Sequence, residues 1–363
     1  MVSAITDLRA RAFDVPLTEP FGIATGQQAV ARNVLVEVEL EDGTIGLGEA
    51  APFPAVNGET QEQVLGALPA VMGPLVGLEV GRYRAVAEVA HDALQATPSA
   101  LAAVETALLD ALARHRGLSL WSFFGGAEGS LQTDITVPTG TAEAAAAAAR
   151  RAVAAGFQSL KVKVGGTDVD DDARRLRAIH AAAPDAALIL DANAAFDARD
   201  ALRLLDAAGP ARQRVALFEQ PTAREDWEGL EEVQRDGGVP VAADESARSP
   251  ADVAGLARAG AARVINVKIT KSGLLAAWQM MLTARAHGLD LMIGGMVETE
   301  LCMSTSACLA AGLGGVRYVD LDTPLFMAER PLRGGFEQRG PSVRVDGIER
   351  GHGVTVSDDA ASR

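Results

Sequence analysis

The segment that decides the fold is SLKVKVG at 159–165, a short apolar run that ends in polar residues, and ALILDAN at 187–193 repeats its form. Amphipathic segments rich in Ala, Arg and Leu lie between such runs, as AEAAAAAARRAVAAG does at 142–156. The other six runs of this kind are TDITVPT at 133–139, VALFEQP at 215–221, VPVAADES at 239–246, RVINVKIT at 263–270, DLMIGGM at 290–296 and VRYVDLD at 316–322. Strands that alternate with helices in this way predict a (β/α) barrel.

The part of the chain before these runs has a different pattern. Residues 1–50 are predicted to form strands, because ARNVLVEVELEDGTIGLGEA at 31–50 alternates apolar and polar side chains and Asp42-Gly43 marks a turn between two runs. Residues 60–117 have apolar side chains spaced by about 3.6 residues, which predicts helices. Strands followed by helices predict a small α+β unit.

We therefore predict an α/β protein with two domains, which its 363 residues are enough to form. The α+β domain is predicted over residues 1–125 and is completed by the C-terminal segment 330–363. The barrel domain is predicted over residues 126–329.

The composition argues against several kinds of partner. Acidic residues number 48 and basic residues 33, and the resulting net charge of −15 argues against a nucleic acid and against an anionic membrane surface. No apolar core follows a basic segment at the amino terminus, and no apolar run approaches the length of a membrane span. Cys302 and Cys308 fit two free thiols, so we expect a cytoplasmic protein. The sequence leaves open whether the chain forms a homo-oligomer.

Three consecutive strand candidates end in one carboxylate each, namely Asp191, Glu219 and Asp244. Because the carboxyl ends of barrel strands converge on one mouth, these side chains are predicted to meet. Three hard oxygen ligands suit Mg²⁺. The alternative is that each carboxylate caps the helix that follows it, but a run of three with this spacing favours a metal site.

Lysines occupy the matching positions on two other strands. Lys161 and Lys163 are two residues apart, so they share one face of their strand, and Lys268 lies on the sixth strand candidate. Lys163 lies on the second strand candidate, so it and Lys268 flank the mouth from opposite sides. Two neighbouring cations, Lys161 and the metal ion, are expected to lower the pKa of a lysine that acts as a base. The predicted reaction is removal of a proton α to a carboxylate. A solvated strand end with unpaired lysines remains the alternative.

Five motifs together resemble the enolase superfamily, in its muconate-lactonizing subgroup. They are KVKVGG at 161–166, DANAAF at 191–196, FEQP at 218–221, ADES at 243–246 and NVKITKSG at 266–273. The resemblance covers residues 1–340 and implies a modified TIM barrel, (β/α)7β, with an N-terminal α+β capping domain. It also implies that Asp191, Glu219 and Asp244 bind Mg²⁺ and that Lys163 and Lys268 are the acid/base pair. Lys161 would contact the substrate carboxylate. Asn193 and Glu245 would orient the metal ligands and the lysines.

Within this subgroup, three further features resemble the dipeptide epimerases. Asp320 and Asp322 match the DxD that binds the free α-ammonium of the substrate in those enzymes, although an ion pair with Arg317 is the alternative. Thr136 matches a substrate-contacting position. GGMVETE at 294–300 is similar to their seventh-strand segment, and it contributes three substrate-binding residues, Gly295, Met296 and Val297. The implied reaction is a Mg²⁺-dependent 1,1-proton transfer at the C-terminal residue of a dipeptide.

Specificity is expected to come from two loops of the capping domain, 20–28 and 52–58. Epimerases that act on Ala-Glu carry an arginine shortly after the Pro-Phe of the first loop, whereas the matching residue here is Gly26. Ile23, Phe53 and Val56 indicate an apolar or small pocket instead. We therefore expect L-Ala-X dipeptides with an uncharged or apolar X.

Two alternatives to a dipeptide epimerase remain from the sequence. An N-acylamino-acid racemase or an o-succinylbenzoate synthase of the same subgroup would use the same lysines and metal ligands, but neither needs to bind an ammonium group. A non-catalytic binding protein on a barrel scaffold is the alternative from another class.

Overall fold

The computed structural model of the chain describes residues 3–23, 26–166 and 168–356, except for the side chains of Phe21, Ile23 and Gln27. Sixteen strands lie in these ranges: β1 Ile5–Ile23, β2 Gly26–Leu40, β3 Ile45–Ala50, β4 Ser130–Gln132, β5 Ile135–Val137, β6 Ser159–Lys163, β7 Ala187–Asp191, β8 Val215–Glu219, β9 Val241–Ala243, β10 Val264–Val267, β11 Asp290–Ile293, β12 Tyr318–Val319, β13 Leu332–Gly334, β14 Glu337–Arg339, β15 Ser342–Arg344 and β16 Val354–Val356.

The same ranges contain fourteen α-helices: α1 Pro54–Asn57, α2 Gln61–Ala67, α3 Pro69–Leu75, α4 Tyr83–Leu94, α5 Pro98–Arg116, α6 Leu120–Phe123, α7 Ala142–Ala154, α8 Val169–Ala182, α9 Ala198–Ala207, α10 Trp227–Asp236, α11 Pro250–Ala259, α12 Ile269–Ser272, α13 Leu274–Ala286 and α14 Glu300–Leu313. Short 3₁₀ turns cover Val80–Arg82, Gly209–Arg214 and Thr323–Phe326. No helix among the described residues combines the length and the apolar character that crossing a membrane requires.

The first three strands form an antiparallel sheet in the order β1-β2-β3, and α5 packs on it. The turn between β2 and β3 is the predicted one: Gly43 has a φ of 80°, and Asp42 Oδ1 accepts a hydrogen bond from Thr44 N at 3.0 Å. Gly46 and Gly48 allow α5 to approach closely, because a Cβ at either position would collide with the helix backbone.

The eight predicted barrel strands form one parallel sheet in the order β5 to β12. A hydrogen bond from Asp134 N to Val319 O at 2.9 Å connects the first strand with the last. The barrel interior contains an apolar layer made of Ile189, Leu217, Ala242, Val264, Met292 and Tyr318. The predicted fold class, an α/β barrel with an N-terminal α+β domain, is confirmed.

The C-terminal segment returns to both parts of the molecule. β15 pairs with β4 next to the barrel, and Arg114 of α5 donates a hydrogen bond to Val354 O at 2.7 Å. Asp110 of α5 accepts one from His352 N at 2.9 Å. The contacts with α5 agree with a C-terminal segment that completes the α+β domain, whereas β15 joins the barrel part, so the domain boundaries stay a prediction.

Candidate active site

The three carboxylates lie where neighbouring strands end. Asp191 and Glu219 are the last residues of β7 and β8 and are partners in the parallel ladder, and Asp244 directly follows β9. All three side chains are buried. The helices that follow these strands are capped by other side chains, those of Asp197, Asp226 and Ser249. The alternative role of the three carboxylates as helix caps is therefore wrong.

Lys161 lies between the carboxylates of several strands. Its Nζ is 3.0 Å from Asp191 Oδ2, 2.9 Å from Glu219 Oε2 and 2.6 Å from Asp320 Oδ2. Burial would lower the pKa of Lys161, but these carboxylates raise it well above the usual value of a lysine. Lys161 is thus held as an ammonium ion, the form that can bind a carboxylate of a ligand.

Lys163 and Lys268 face the same space from β6 and from the end of β10. Lys163 Nζ is 2.6 Å from Asp191 Oδ2 and 3.3 Å from Asn193 Oδ1. Lys268 Nζ is 2.6 Å from Asp244 Oδ2. Each lysine is therefore paired with one of the three strand-end carboxylates.

The pKa of Lys268 depends on its contact with Asp244. Burial would lower this pKa, but the Asp244 carboxylate raises it above the usual value of a lysine. The lowered pKa expected from the sequence concerned a lysine beside both Lys161 and a bound metal ion, so it stays a prediction.

The donor set fits a hard divalent cation. Burial and the nearby Asp191 raise the pKa of Glu219 to about 8, so an ionised Glu219 lacks sufficient positive charge around it. Burial would also raise the pKa values of Asp191 and Asp244, but the adjacent lysines lower both below the usual range. Three buried carboxylate oxygens on adjacent strand ends are the ligands that Mg²⁺ prefers.

Asp320 and Asp322 follow the last barrel strand and lie beside Thr136. Asp322 Oδ2 accepts a hydrogen bond from Thr136 N at 2.6 Å, and burial together with Asp320 raises the pKa of Asp322 to about 7. The alternative ion pair with Arg317 is wrong, because Arg317 Nη1 instead binds Asp290 Oδ2 at 2.8 Å on the exposed side of the barrel.

These side chains surround a cavity of about 390 Å³, counting its part that is open to solvent. Twelve of its lining residues are among those predicted from the sequence, and Thr323 is the additional one. The lining is Phe53, Val56, Thr136, Lys161, Lys163, Asn193, Lys268, Gly295, Met296, Val297, Asp320, Asp322 and Thr323. The three carboxylates Asp191, Glu219 and Asp244 contact the lysines of this lining from beneath.

The remaining predicted residues lie around the cavity. Gly26 adjoins helix α1, which carries Val56, since a Cβ at Gly26 would be 2.8 Å from Ala55 Cβ. Glu245 Oε1 accepts a hydrogen bond from Asn193 Nδ2 at 3.4 Å, and the role of both residues in orienting the metal ligands and lysines stays a prediction. The side chain of Ile23 is outside the described residues.

The segment Gly295–Val297 is held from two sides. Glu298 Oε1 accepts a hydrogen bond from Met296 N at 2.7 Å. Asn33 of β2 donates to Val297 O at 3.0 Å and to Glu49 Oε1 at 2.6 Å. Glu49 also accepts hydrogen bonds from Thr299 and Cys302 at the start of α14, which ties the α+β domain to the cavity wall.

Sequence reasoning missed several supporting residues. Asn266 donates to Glu219 Oε1 at 2.8 Å, and Lys271 Nζ binds Asp244 Oδ1 at 2.6 Å. Gln220, at a φ of 35°, accepts a hydrogen bond from Asp244 N at 2.9 Å. The alternation of side chains along a strand, which placed Lys161 beside Lys163, could also have identified Asn266, because it precedes Lys268 by two residues and therefore faces the same side of the strand.

Family models match both parts of the chain. Residues 4–125 match the model described as the mandelate racemase / muconate lactonizing enzyme N-terminal domain. Residues 143–360 match the model described as enolase C-terminal domain-like.

Individual relatives match over nearly the whole chain. An aromatic dipeptide epimerase from Herpetosiphon aurantiacus is 49% identical over 98% of this chain and 100% of its own. An L-Ala-D/L-amino acid epimerase from Populus trichocarpa is 40% identical over 91% of this chain and 80% of its own. A crystal structure of a dipeptide epimerase from Enterococcus faecalis V583, complexed with Mg and the dipeptide L-Leu-L-Tyr, superposes with a TM-score of 0.93 at 32% identity, over 97% of this chain and 99% of that one.

Proposed function

Because this chain belongs to the dipeptide epimerase family of the enolase superfamily, we propose that it is a Mg²⁺-dependent isomerase that inverts the α-carbon of the C-terminal residue of a dipeptide. The observation that carries the proposal is the placement of two amines, Lys163 and Lys268, in one cavity that also contains Asp320 and Asp322. An amine on each side of a carbon is what a proton transfer from one face to the other requires.

In the proposed mechanism the substrate carboxylate contacts the ammonium group of Lys161. One lysine of the pair, in its neutral form, removes the α-proton with its Nζ. The other lysine, as an ammonium ion, donates a proton to the opposite face of the same carbon. Lys163 and Lys268 exchange these roles when the reaction runs in the reverse direction.

Asp191, Glu219 and Asp244 are proposed to hold the Mg²⁺. When bound, the ion neutralises part of their charge and stabilises the negative charge that develops on the substrate carboxylate as the α-proton leaves. Lys271, Asn266 and Gln220 support this role, because their hydrogen bonds fix the orientation of Asp244 and Glu219.

The other end of the dipeptide is proposed to bind through its ammonium group at Asp320 and Asp322. The C-terminal side chain is proposed to face the capping domain, where Phe53 and Val56 line the cavity and Gly26 offers no charge. This favours an L-Ala-X dipeptide with an uncharged or apolar X. The two free, buried cysteines, Cys302 and Cys308, support the proposed cytoplasmic location.

A screen of pooled L-Ala-X dipeptides in deuterated water tests the proposal. With Mg²⁺ present, we expect mass spectrometry to show one deuterium at the α-carbon of X, with the largest signals for apolar X and none after chelation. Highest efficiency with Ala-Glu would contradict the proposed specificity, and no exchange with any dipeptide would favour a non-catalytic binding protein.

The variant Asp322→Asn separates a dipeptide epimerase from an N-acylamino-acid racemase. Loss of one charged partner of the substrate ammonium is expected to lower kcat/KM for dipeptides about 100-fold. Activity on N-acylamino acids, measured by the same exchange, is expected to change little. An unchanged activity on dipeptides would favour the racemase.

A further inference from the structure

One buried carboxylate of the barrel has no assigned role. Asp134 precedes β5, and its backbone N–H donates to Val319 O at 2.9 Å, so its position is fixed by the contact that connects the first and last strands. Its side chain is only 1% exposed. Among the described residues, no group donates a hydrogen bond to either of its carboxylate oxygens.

Asp134 is directed at the pair of carboxylates described above. One oxygen each of Asp134, Asp320 and Asp322 lies within 4.8 Å of the other two. Asp322 Oδ1 also has no hydrogen-bond donor among the described residues. Among the described residues, these three aspartates take part in one ion pair, between Lys161 Nζ and Asp320 Oδ2 at 2.6 Å. Lys161 also forms ion pairs with Asp191 and Glu219.

This arrangement lacks positive charge, so burial together with Asp320 and Asp322 raises the pKa of Asp134 well above its usual range, and an approaching cation would lower that pKa again. A buried carboxylate without a donor is costly, and three that adjoin one another are more so, unless a cation approaches them. Thr136, Asp320 and Asp322 line the cavity, and Asp134 lies behind them, so a ligand cation can reach the group from the cavity side. A primary ammonium group provides one positive charge and three donors, which suits oxygens that lack donors.

We propose that Asp134 is a positioning residue for the amino end of the substrate, and that its charge, added to those of Asp320 and Asp322, makes this corner select free ammonium groups over N-acylated ones. The inference rests on the proposed function and extends it, since it defines the substrate class by its unblocked amino terminus. Asp134 acts through the other two aspartates, because it does not itself line the cavity.

The variant Asp134→Asn tests this inference, since it removes the charge and keeps the size. We expect KM for L-Ala-L-Phe to rise about tenfold while kcat changes less than about threefold. We expect the dissociation constant of N-acetyl-L-Ala-L-Phe and that of Mg²⁺, both measured by calorimetry, to stay unchanged. Asp134→Ser, which leaves room for water, replaces this variant if it does not fold.

Asp172→Asn is the matched control, because Asp172 is also buried in the barrel domain but binds Arg175 and Gly165 N outside the cavity. It is expected to lower Tm and to leave the ratio of the two peptide affinities unchanged.

Three outcomes would overturn the inference. The first is an equal loss of affinity for both peptides in Asp134→Asn, and the second is no change for either. The third is a second equivalent of Mg²⁺ that binds the wild type and not the variant, which would identify a metal site instead. If the wild type itself exchanges no dipeptide, the proposed function fails, whereas an active wild type with an unselective variant rejects only the role of Asp134.

Discussion

The floor and the roof of the cavity are built in different ways. The floor consists of charged side chains from barrel strands, and Lys161, Lys163 and Lys268 each contact a buried carboxylate at 2.6 Å. The roof consists of Phe53, which caps the four-residue helix α1, and Val56, which lies in that helix, and a hydrogen bond from Val56 N to Phe53 O at 2.9 Å joins them. The floor is therefore determined by many mutually dependent ion pairs, and the roof by one local turn and apolar contacts, which tolerate substitution more readily.

The largest expected effect is on the floor, in the variants Lys163→Ala and Lys268→Ala. Each removes one of two proton-transferring groups, so epimerisation is expected to fall at least about 1,000-fold. Each variant retains one base, so residual exchange of the α-proton in deuterated water is expected for one stereoisomer, and the two variants should retain opposite ones.

The control for these variants is binding of Mg²⁺, which each variant should retain, since neither lysine is a proposed ligand; loss of the ion pair with Asp191 or Asp244 is expected to make this binding tighter. Exchange at the wild-type rate in either variant, or residual exchange of the same stereoisomer in both, would contradict the two-base mechanism.

The contrast between floor and roof also explains what the sequence could predict. Asp191, Glu219 and Asp244 follow apolar strands at intervals of one βα unit, and the barrel geometry alone places such residues at neighbouring strand ends of one mouth. Alternation along a strand placed Lys161 and Lys163 on the same face. The ion pair of Lys268 with Asp244 was not predicted, because only the folded barrel brings these two residues into contact.

Supporting residues were predictable only where they obey the same periodicity. Asn266 and Asp134 each precede an inward-facing residue by two positions, so alternation could have identified both. Glu49 could not have been found in this way, since its partners in α14 are about 250 residues further along the chain. Contacts of this kind between domains leave no local pattern in the sequence.

A smaller effect is expected in the roof, at Gly26. The variant Gly26→Arg, combined with Ala55→Gly to make room for the new Cβ, adds a cation near the proposed site of the side chain X. The ratio of kcat/KM for L-Ala-L-Glu to that for L-Ala-L-Phe is expected to rise about 10- to 100-fold, which corresponds to about 1–3 kcal/mol.

Gly26→Gln with Ala55→Gly is the matched control, since it adds a side chain of similar reach without charge. An equal shift in both variants would mean that the roof discriminates by size rather than by charge. No shift in either would place the side chain X elsewhere in the cavity.

The smallest effect on catalysis is expected where roof and floor are joined, at Glu49. Burial raises the pKa of Glu49 from 4.5 to about 7, although Thr299 and Asn33 donate hydrogen bonds to it. The folded state therefore retains the proton at a pH where the unfolded state has released it, so this group stabilises the fold at low pH and loses that contribution as the pH rises from about 4.5 through about 7. Glu49→Gln cannot titrate, so the change in unfolding free energy between pH 5 and pH 8 should be about 1–3 kcal/mol smaller than in the wild type.

Denaturant titrations of the wild type and the variant at pH 5 and pH 8 measure this difference. Other titrating groups, including Glu105 with its raised pKa of about 7, contribute equally to the pH dependence of both proteins, so the difference between them reports on Glu49. We expect kcat to change less than about threefold, since Asn33 still holds Val297 O. An identical pH dependence in the two proteins would mean that Glu49 stays ionised throughout. In that case the hydrogen bonds from Thr299 N and Cys302 N at the start of α14 would stabilise the ionised carboxylate by more than its burial costs. The contact of Glu49 that connects roof and floor would then be an electrostatic one with a helix N-terminus, and it would not depend on a bound proton.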